Sequence, residues 1–344
     1  MGYLDTTKRV LMPSVKLKDA SVFFCREGQT ILSAALEQGI GLEYSCRTGR
    51  CKTCAANLLQ GSTKRLEEDL ERNGPAVNSP ILTCLDTPTT DISLDIEARS
   101  ELTGVVPRLL PCRITELKKL SDNIQTVLLK LPPKQPFMYL PGQYVDVIAP
   151  NGIRRSYSIA NPPDNSQQLL LHIQRVPAGE MSDFWFNQAE EGDLLRLEGP
   201  FGSFFLREQT ESGGSLICLA TGTGMAPIKS ILEYLQESEK AKPFKRIALY
   251  WGLRNLNDVY WHPDFPTLEN FTYTPVFSRE ASAKQTLGYI QDVALRDFSS
   301  LTQTMVYAAG SERMTESARR QFLDAGLNPA QFISDAFVCS AKNR

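Results

Sequence analysis

Tyr44-Ser45-Cys46-Arg47-Thr48-Gly49-Arg50-Cys51-Lys52-Thr53-Cys54 is the stretch from which the rest of the chain is read, and Cys84 answers it from thirty residues further on. Three cysteines at C-x4-C-x2-C with a distant fourth have the spacing of a [2Fe–2S] site. Four thiolates must converge on two irons, so one tight loop supplies three and a neighbouring loop the last. Gly49 falls where that loop must curl and where amide N–H groups can point at sulfur. The rival is a zinc knuckle. Structural zinc sites pair two short clips such as C-x-x-C, whereas this chain has a single C-x-x-C, and the extra Cys46 ahead of it fits iron–sulfur better.

The bulk properties narrow the classes around this loop. A chain of 344 residues exceeds the usual single domain, and 42% hydrophobic with 22% charged residues describes a globular protein with sizeable cores. Its net charge of −2 argues against general nucleic-acid binding. The N-terminus lacks a signal peptide's apolar run and no segment approaches a membrane span, so a cytoplasmic location is expected. Cys25, Cys112, Cys218 and Cys339 share no spacing and read as buried free thiols. The two histidines, His172 and His262, lie in unlike settings. That excludes a Rieske centre and a two-His-one-carboxylate iron site, so the chain can feed an oxygenase but cannot be one.

The texture changes twice. Residues 1–14 read as a loose arm, Val15–Lys18 and Ser21–Cys25 as a hairpin, and Ile31–Gln38 as a helix with Thr30 as N-cap and Gly39 at C′. Strands at Ala55–Leu59 and Asp91–Ile96 complete a first domain, residues 1–100, followed by a linker over 99–108. Residues 109–210 carry short strands (Pro111–Leu117, Thr126–Leu131, Gln143–Ala149, Ser156–Ile159, Leu169–Gln174) that predict a small antiparallel barrel. Residues 211–344 alternate apolar strands such as Leu216–Ala220 and Ile247–Trp251 with helices such as Ile228–Gln236, which predicts an α/β domain on a parallel sheet.

Both later domains hold ligand-binding signals. In Arg155-Ser156-Tyr157-Ser158, an arginine can pair with phosphate, a tyrosine offers a flat face to a ring, and a serine can hydrogen-bond a flavin edge. Gly179-Glu180-Met181-Ser182 opens a helical stretch where amides and Ser182 would cradle a pyrophosphate; an ordinary N-cap serine is the plainer reading. Gly222-Thr223-Gly224-Met225-Ala226-Pro227 follows an apolar strand and opens a helix, which sets phosphate-binding amides at the carboxyl edge of the sheet. It is not G-x-G-x-x-G, so the Rossmann fingerprint does not apply. Ala308-Ala309-Gly310-Ser311 ends another apolar strand at that edge.

In this order, with Arg155–Asn161 (RSYSIAN), Glu198–Phe205 (EGPFGSFF), Tyr250–Gly252 (YWG) and Ser334–Phe337 (SDAF), the chain resembles a ferredoxin domain fused to a ferredoxin–NADP reductase-like module. The resemblance covers about residues 15–340. It implies a β-grasp ferredoxin domain, an antiparallel β-barrel for FAD and a parallel-sheet domain for NAD(P). Members of this family are reductase components of two-component bacterial oxygenases. A close group serves a CDP-4-keto-6-deoxyglucose-3-dehydrase in deoxysugar synthesis. By resemblance Arg155, Ser156, Tyr157, Ser158, Gly179, Met181 and Ser182 hold FAD, with His172 and Ile173 on a strand passing near it. Tyr157 and Ser158 lie against the reacting ring, and Phe337 is the C-terminal aromatic over its other face. Gly222, Thr223, Gly224, Pro227 and Gly310 then serve the nicotinamide nucleotide. Ser278-Arg279 stands where NADP-using members hold the 2′-phosphate, which leaves NADH and NADPH both open.

Two departures from the family pattern stand out. Ala309 replaces a cysteine of a Cys-Gly pair, which puts the efficiency of flavin reduction in doubt. Arg47, Arg50 and Lys52 make the cluster loop cationic, which suggests an acidic docking surface on the electron acceptor; solvated surface charge is the plainer account. The expected activity is NAD(P)H oxidation, with electrons passed through FAD and the [2Fe–2S] cluster, one at a time, to a partner protein.

Overall fold

The computed structural model describes residues 12–66, 79–208, 213–279 and 286–337. Cys339 lies outside them, as does the expected arm up to residue 11. The chain forms two compact units, residues 1–106 and 107–344. Among the described residues no helix is long and apolar enough to cross a membrane.

Among the described residues the first unit is a mixed sheet crossed by one α-helix. Its elements are β1 (Ser14–Lys16), β2 (Val22–Phe24), α1 (Ile31–Glu37), β3 (Ala55–Gln60), β4 (Thr63–Arg65), β5 (Pro80–Leu82), β6 (Asp86–Pro88) and β7 (Ile92–Leu94). The main sheet runs β2-β1-β7-β3-β5, with β1 and β7 parallel, and β4 pairs with β6. Thr30 starts α1 by accepting the Ser33 amide on its hydroxyl at 3.1 Å, and Gly39 follows the helix at φ +73°. The helix buries Ile31, Leu32, Ala34 and Ala35, an i, i+1, i+3, i+4 face. The expected linker starts late: Leu102 is buried beneath Gly41, where any Cβ would come within 2.3 Å of it, so residues 99–106 belong to this unit.

The second unit opens with six antiparallel strands: β8 (Arg108–Lys119), β9 (Ile124–Lys130), β10 (Tyr144–Ile148), β11 (Arg154–Ser158), β12 (Gln168–Gln174) and β13 (Leu194–Phe201). Their order is β11-β10-β13-β8-β9-β12, and an Ile159–Leu171 bridge joins the two edges into a barrel. Alternate residues fill it, including Val127, Leu129, Val145, Val147, Leu171 and Leu197. Each such side chain contributes roughly 1.5–3 kcal/mol by leaving water. The predicted helix after Gly179 is α2 (Glu180–Asp183), but it continues as a π-turn over Phe184–Gln188. There the bulky Phe184 and Trp185 are buried in the barrel core.

The parallel sheet follows, with β14 (Gly214–Thr221), α3 (Met225–Glu237), β15 (Phe244–Leu253), β16 (Phe271–Phe277), β17 (Thr286–Leu287), α4 (Ile290–Asp297), β18 (Thr304–Ser311), α5 (Glu312–Asp324) and β19 (Phe332–Phe337). Strand order is β17-β16-β15-β14-β18-β19. Its central strands are apolar on both sides. Leu216, Cys218 and Ala220 face α3, whereas Ile217 and Leu219 face α4 and α5. The chain winds outward from β14 to β17 and then restarts beside β14 at β18. The topological switch point, where such sheets bind ligands, therefore lies between the ends of β14 and β18.

Candidate redox-cofactor sites

The four cysteines converge as two pairs. Cys54 and Cys84 stand 3.2 Å apart, sulfur to sulfur, and are buried; Cys46 and Cys51 hydrogen-bond each other and are half-exposed. Thr83 ties the distant cysteine in place, its amide and hydroxyl donating to the Cys54 carbonyl at 3.1 and 3.2 Å. Cys46 sulfur accepts the Thr48 and Cys51 amides at 3.4 Å, and Cys51 sulfur accepts the Cys46 amide at 3.4 Å. The Gly49 amide is directed at Cys84.

Within each pair one thiol donates a hydrogen bond to the other. The hydrogen bond from Cys51 draws the Cys46 thiol down to about 4, and that from Cys84 draws Cys54 down to about 7, while their partners are pushed up. One thiol of each pair is thereby readily ionised, as a metal ligand must be. Two thiols on each of two centres is the donor set of a [2Fe–2S] cluster, so these residues fit the group. Gly49, at φ +76°, packs where a Cβ would come within 2.4 Å of Leu85. Arg47 and Lys52 both take φ +56°, the left-handed region that glycine occupies more easily.

On the barrel, β11 carries Arg155, Ser156, Tyr157 and Ser158. Trp185 donates its indole N–H to the Tyr157 hydroxyl at 2.9 Å and meets the ring edge-on, which fixes the tyrosine's plane. Burial pushes the Tyr157 phenol up, so it stays neutral. Ser156 donates to buried Asp146 at 2.6 Å, and Arg155, exposed, donates to the Arg154 carbonyl at 2.7 Å. Ser182 accepts the Val176 amide at 2.8 Å, which folds the Val176–Gly179 loop over the start of α2, and Met181 enters the barrel core. An open cleft of about 570 Å³ runs past this loop, walled by Asn151, Ile153, Arg175, Ala178, Gly179 and Ser182. Arg175 offers this cleft a cation for a pyrophosphate, beside the carboxylates of Glu180 and Asp183.

Ile173 is buried on β12, and its neighbour His172 hydrogen-bonds through Nδ1 with the Tyr260 hydroxyl at 3.1 Å. Burial, and then the Lys229 charge, depress the histidine to about 3, so it is neutral. It is a satisfied histidine at the seam between barrel and parallel sheet.

The nucleotide signals gather along one carboxyl edge. Gly222–Gly224 form a tight turn after β14 and lead into α3, where Pro227 lies in the first turn. Cβ atoms on Gly224 and Gly310 would lie 2.2 Å from the Ala309 carbonyl and the Thr221 hydroxyl, so the loops at the switch point touch backbone to backbone. Thr223 is buried in this turn, and Trp251 holds it by donating to the Gly222 carbonyl at 3.1 Å. Ala309 is fully buried. Ser278 and Arg279, both exposed, follow β16 at the same edge, their amides donating to Leu253 and Arg254 at 2.9 and 3.2 Å. Phe337 ends β19 opposite Ser311, half-buried.

Sequence reasoning missed Asp335. The Ser158 hydroxyl lies 3.5 Å from its carboxylate, and both are buried. Side chains alternate along β19, so Phe337 shares Asp335's face and stands on the Ser158 side. An acid inside a largely apolar strand, Phe332–Phe337, was the available signal. Trp185, Tyr260 and Lys229 were also missed, each looking like ordinary core or surface.

Three family models match the chain: 2Fe-2S iron-sulfur cluster binding domain over residues 15–89, Oxidoreductase FAD-binding domain over 111–206 and Oxidoreductase NAD-binding domain over 218–320. The chain is 36% identical to a CDP-6-deoxy-L-threo-D-glycero-4-hexulose-3-dehydrase reductase of Yersinia pestis, covering 95% of this chain and 99% of that protein. It is 32% identical to a terephthalate 1,2-dioxygenase reductase component of Comamonas, over 94% and 97% of the two chains. A solved cytochrome P450 reductase of Amycolatopsis superposes with a TM-score of 0.78 at 26% identity, over 96% of this chain and 100% of that one. The chain thus belongs to the family of NAD(P)H-dependent iron–sulfur flavoprotein reductases, in which a [2Fe–2S] ferredoxin domain is joined to FAD-binding and NAD-binding domains.

Proposed function

We propose that this reductase delivers single electrons to a partner iron oxygenase or hydroxylase, and that the residues gathered above form its three cofactor sites. The pairing of four thiols two and two, on a chain that also carries the flavin and nucleotide elements, is the observation that carries the reading. Cys46 and Cys51 would ligate one iron and Cys54 and Cys84 the other. Tyr157 would lie flat on the flavin with Phe337 on the opposite face, while Arg155, Ser156 and the Gly179–Ser182 loop bind its tail. The Gly222–Pro227 and Gly310 loops would hold NAD(P)H, with Ser278 and Arg279 at its adenosine end.

When bound, FAD would supply two-electron chemistry toward NAD(P)H and the cluster one-electron chemistry toward the partner. The protein's own part is to orient, to exclude water and to hold charge. Ser158 and Asp335 offer a hydroxyl and a carboxylate at the reacting face, where a proton can be held. Phe337 must give way for the nicotinamide. Free buried Cys25, Cys112 and Cys218 suit a reducing, cytoplasmic compartment.

Similarity to the dioxygenase reductase supports an oxygenase as acceptor; the higher identity to the hexulose-dehydrase reductase favours a sugar dehydrase as the second reading. A tagged pull-down from the native host, with mass spectrometry, separates them. Recovery of an iron oxygenase supports the first reading, and recovery of a pyridoxamine-phosphate-dependent dehydrase replaces it with the second.

A further inference from the structure

Lys229 is a lysine on a buried helix face. The first two turns of α3 are buried from Met225 to Leu232, and Lys229 among them is 8% exposed. Its ammonium donates to the Ala160 carbonyl at 3.1 Å, pairs with Glu233 one turn on at 2.5 Å, and lies 6.0 Å from the centre of the Trp261 ring. The next residue, Ser230, is fully buried and donates its hydroxyl to the Asn161 carbonyl at 2.7 Å. An ammonium is expensive to remove from water, and a leucine or methionine would fill such a site more cheaply.

The two carbonyls occupy a particular place. Ala160 and Asn161 follow directly on Tyr157-Ser158-Ile159, at the corner where the barrel closes. The Ala160 amide bonds the Leu170 carbonyl at 2.8 Å and Ile159 bridges to Leu171. Asn161 also receives the Tyr139 hydroxyl at 3.2 Å and cross-braces the corner, its side chain accepting the Leu170 amide at 2.7 Å and donating to the Gln168 carbonyl at 3.0 Å. Lys229 and Ser230 lie two and three residues past Pro227, on the helix that the Gly222–Gly224 turn opens. One turn of α3 therefore grips the strand end that carries Tyr157 and Ser158, and the same helix begins at the nucleotide loop.

We propose that Lys229 and Ser230 form a two-point latch, acting as positioning residues that set the register of the nucleotide loop against the flavin strand and thereby the rate of FAD reduction by NAD(P)H. The inference rests on the reading of Tyr157–Ser158 and Gly222–Pro227 as flavin and nucleotide sites. Its physical basis is that a reacting pair is sensitive to displacements of an ångström, whereas ground-state binding of either cofactor is not.

The test is anaerobic stopped-flow reduction of the purified holoprotein by NAD(P)H, with 4-deuterated nucleotide as a second readout. Four variants are compared: Lys229→Met, Lys229→Met with Glu233→Leu, Lys229→Arg, and Gly224→Ala. The double variant replaces the ion pair of buried Lys229 and half-buried Glu233 by an apolar pair, which removes the unpaired carboxylate that the single change would leave. The latch predicts that both methionine variants lose about 10- to 100-fold in the limiting rate with KM changed less than about threefold. It also predicts a larger deuterium effect, unchanged FAD content in the double variant, and recovery of most of the rate in Lys229→Arg. A double variant that folds, holds FAD and reduces it at the wild-type rate overturns the proposal, as does a rate loss that merely follows loss of FAD. Gly224→Ala separates the layers, since its Cβ would meet the Ala309 carbonyl. If it raises KM while the latch variants do nothing, the latch fails and the site reading stands. If neither changes nucleotide handling, the site reading fails with it.

Discussion

Ser158 on the barrel and Asp335 on the parallel sheet, 177 residues apart in sequence, bring hydroxyl and carboxylate to 3.5 Å in a buried seam. Both side chains have left water, and at 3.5 Å their contact is long for an O–H···O hydrogen bond. Asp335→Asn preserves shape and removes the charge. It should slow FAD reduction by about 3- to 10-fold, the equivalent of a weak hydrogen bond of roughly 0.5–1.5 kcal/mol, with FAD content unchanged. Stopped-flow rates beside a flavin-to-protein absorbance ratio check this.

Gly310 has no room for a side chain. It takes φ +133°, and a Cβ would lie 2.2 Å from the Thr221 hydroxyl and 2.8 Å from its carbonyl. Gly310→Ala should cost about 1–3 kcal/mol of stability through overpacking and raise KM for NAD(P)H. Thermal melting and steady-state kinetics on one preparation test both parts.

The cationic cluster loop has a measurable consequence. Arg50 and Lys52 are exposed beside the half-exposed Cys46–Cys51 pair, and Lys52 takes a left-handed backbone that glycine would hold more easily. Arg50→Glu with Lys52→Glu should lower electron delivery to an acidic partner by roughly tenfold at low salt, with the difference shrinking as salt rises. NAD(P)H-driven flavin reduction should not change. Cytochrome c, a basic acceptor, should show the opposite salt dependence.

His172 should make the second unit acid-sensitive. Burial, then Lys229, hold it neutral down to about 3, against an ordinary 6.5, and Tyr260 occupies its Nδ1. Between pH 6.5 and 3 the unfolded chain binds a proton that the folded protein refuses. This contribution is therefore complete above pH 6.5 and is lost as pH falls through that window. His172→Gln should flatten the fall in melting temperature over the same range, as followed by circular dichroism.

Local features were legible in the sequence and cross-chain ones were not. The α1 cap at Thr30, the alternating barrel strands and the cysteine spacing are each written in neighbouring residues, because caps, periods and tight loops are local physics. Which elements meet is a property of packing. Nothing near Ser158 announces Asp335, nothing near Tyr157 announces Trp185, and a C-x4-C-x2-C pattern does not say that the thiols divide two and two. The expected linker over 99–108 begins later because Leu102 is covered under Gly41, which draws its segment into the first unit.

Electrons from NAD(P)H are expected to pass through FAD to a cluster on Cys46, Cys51, Cys54 and Cys84. An anaerobic NAD(P)H titration, followed by visible absorption and low-temperature electron paramagnetic resonance, tests it on wild-type protein and Cys51→Ser side by side. The account predicts flavin bleaching in both proteins and a reduced [2Fe–2S] resonance in the wild type alone. A wild-type protein whose flavin bleaches with no cluster resonance, or a Cys51→Ser variant that keeps the resonance, would contradict it.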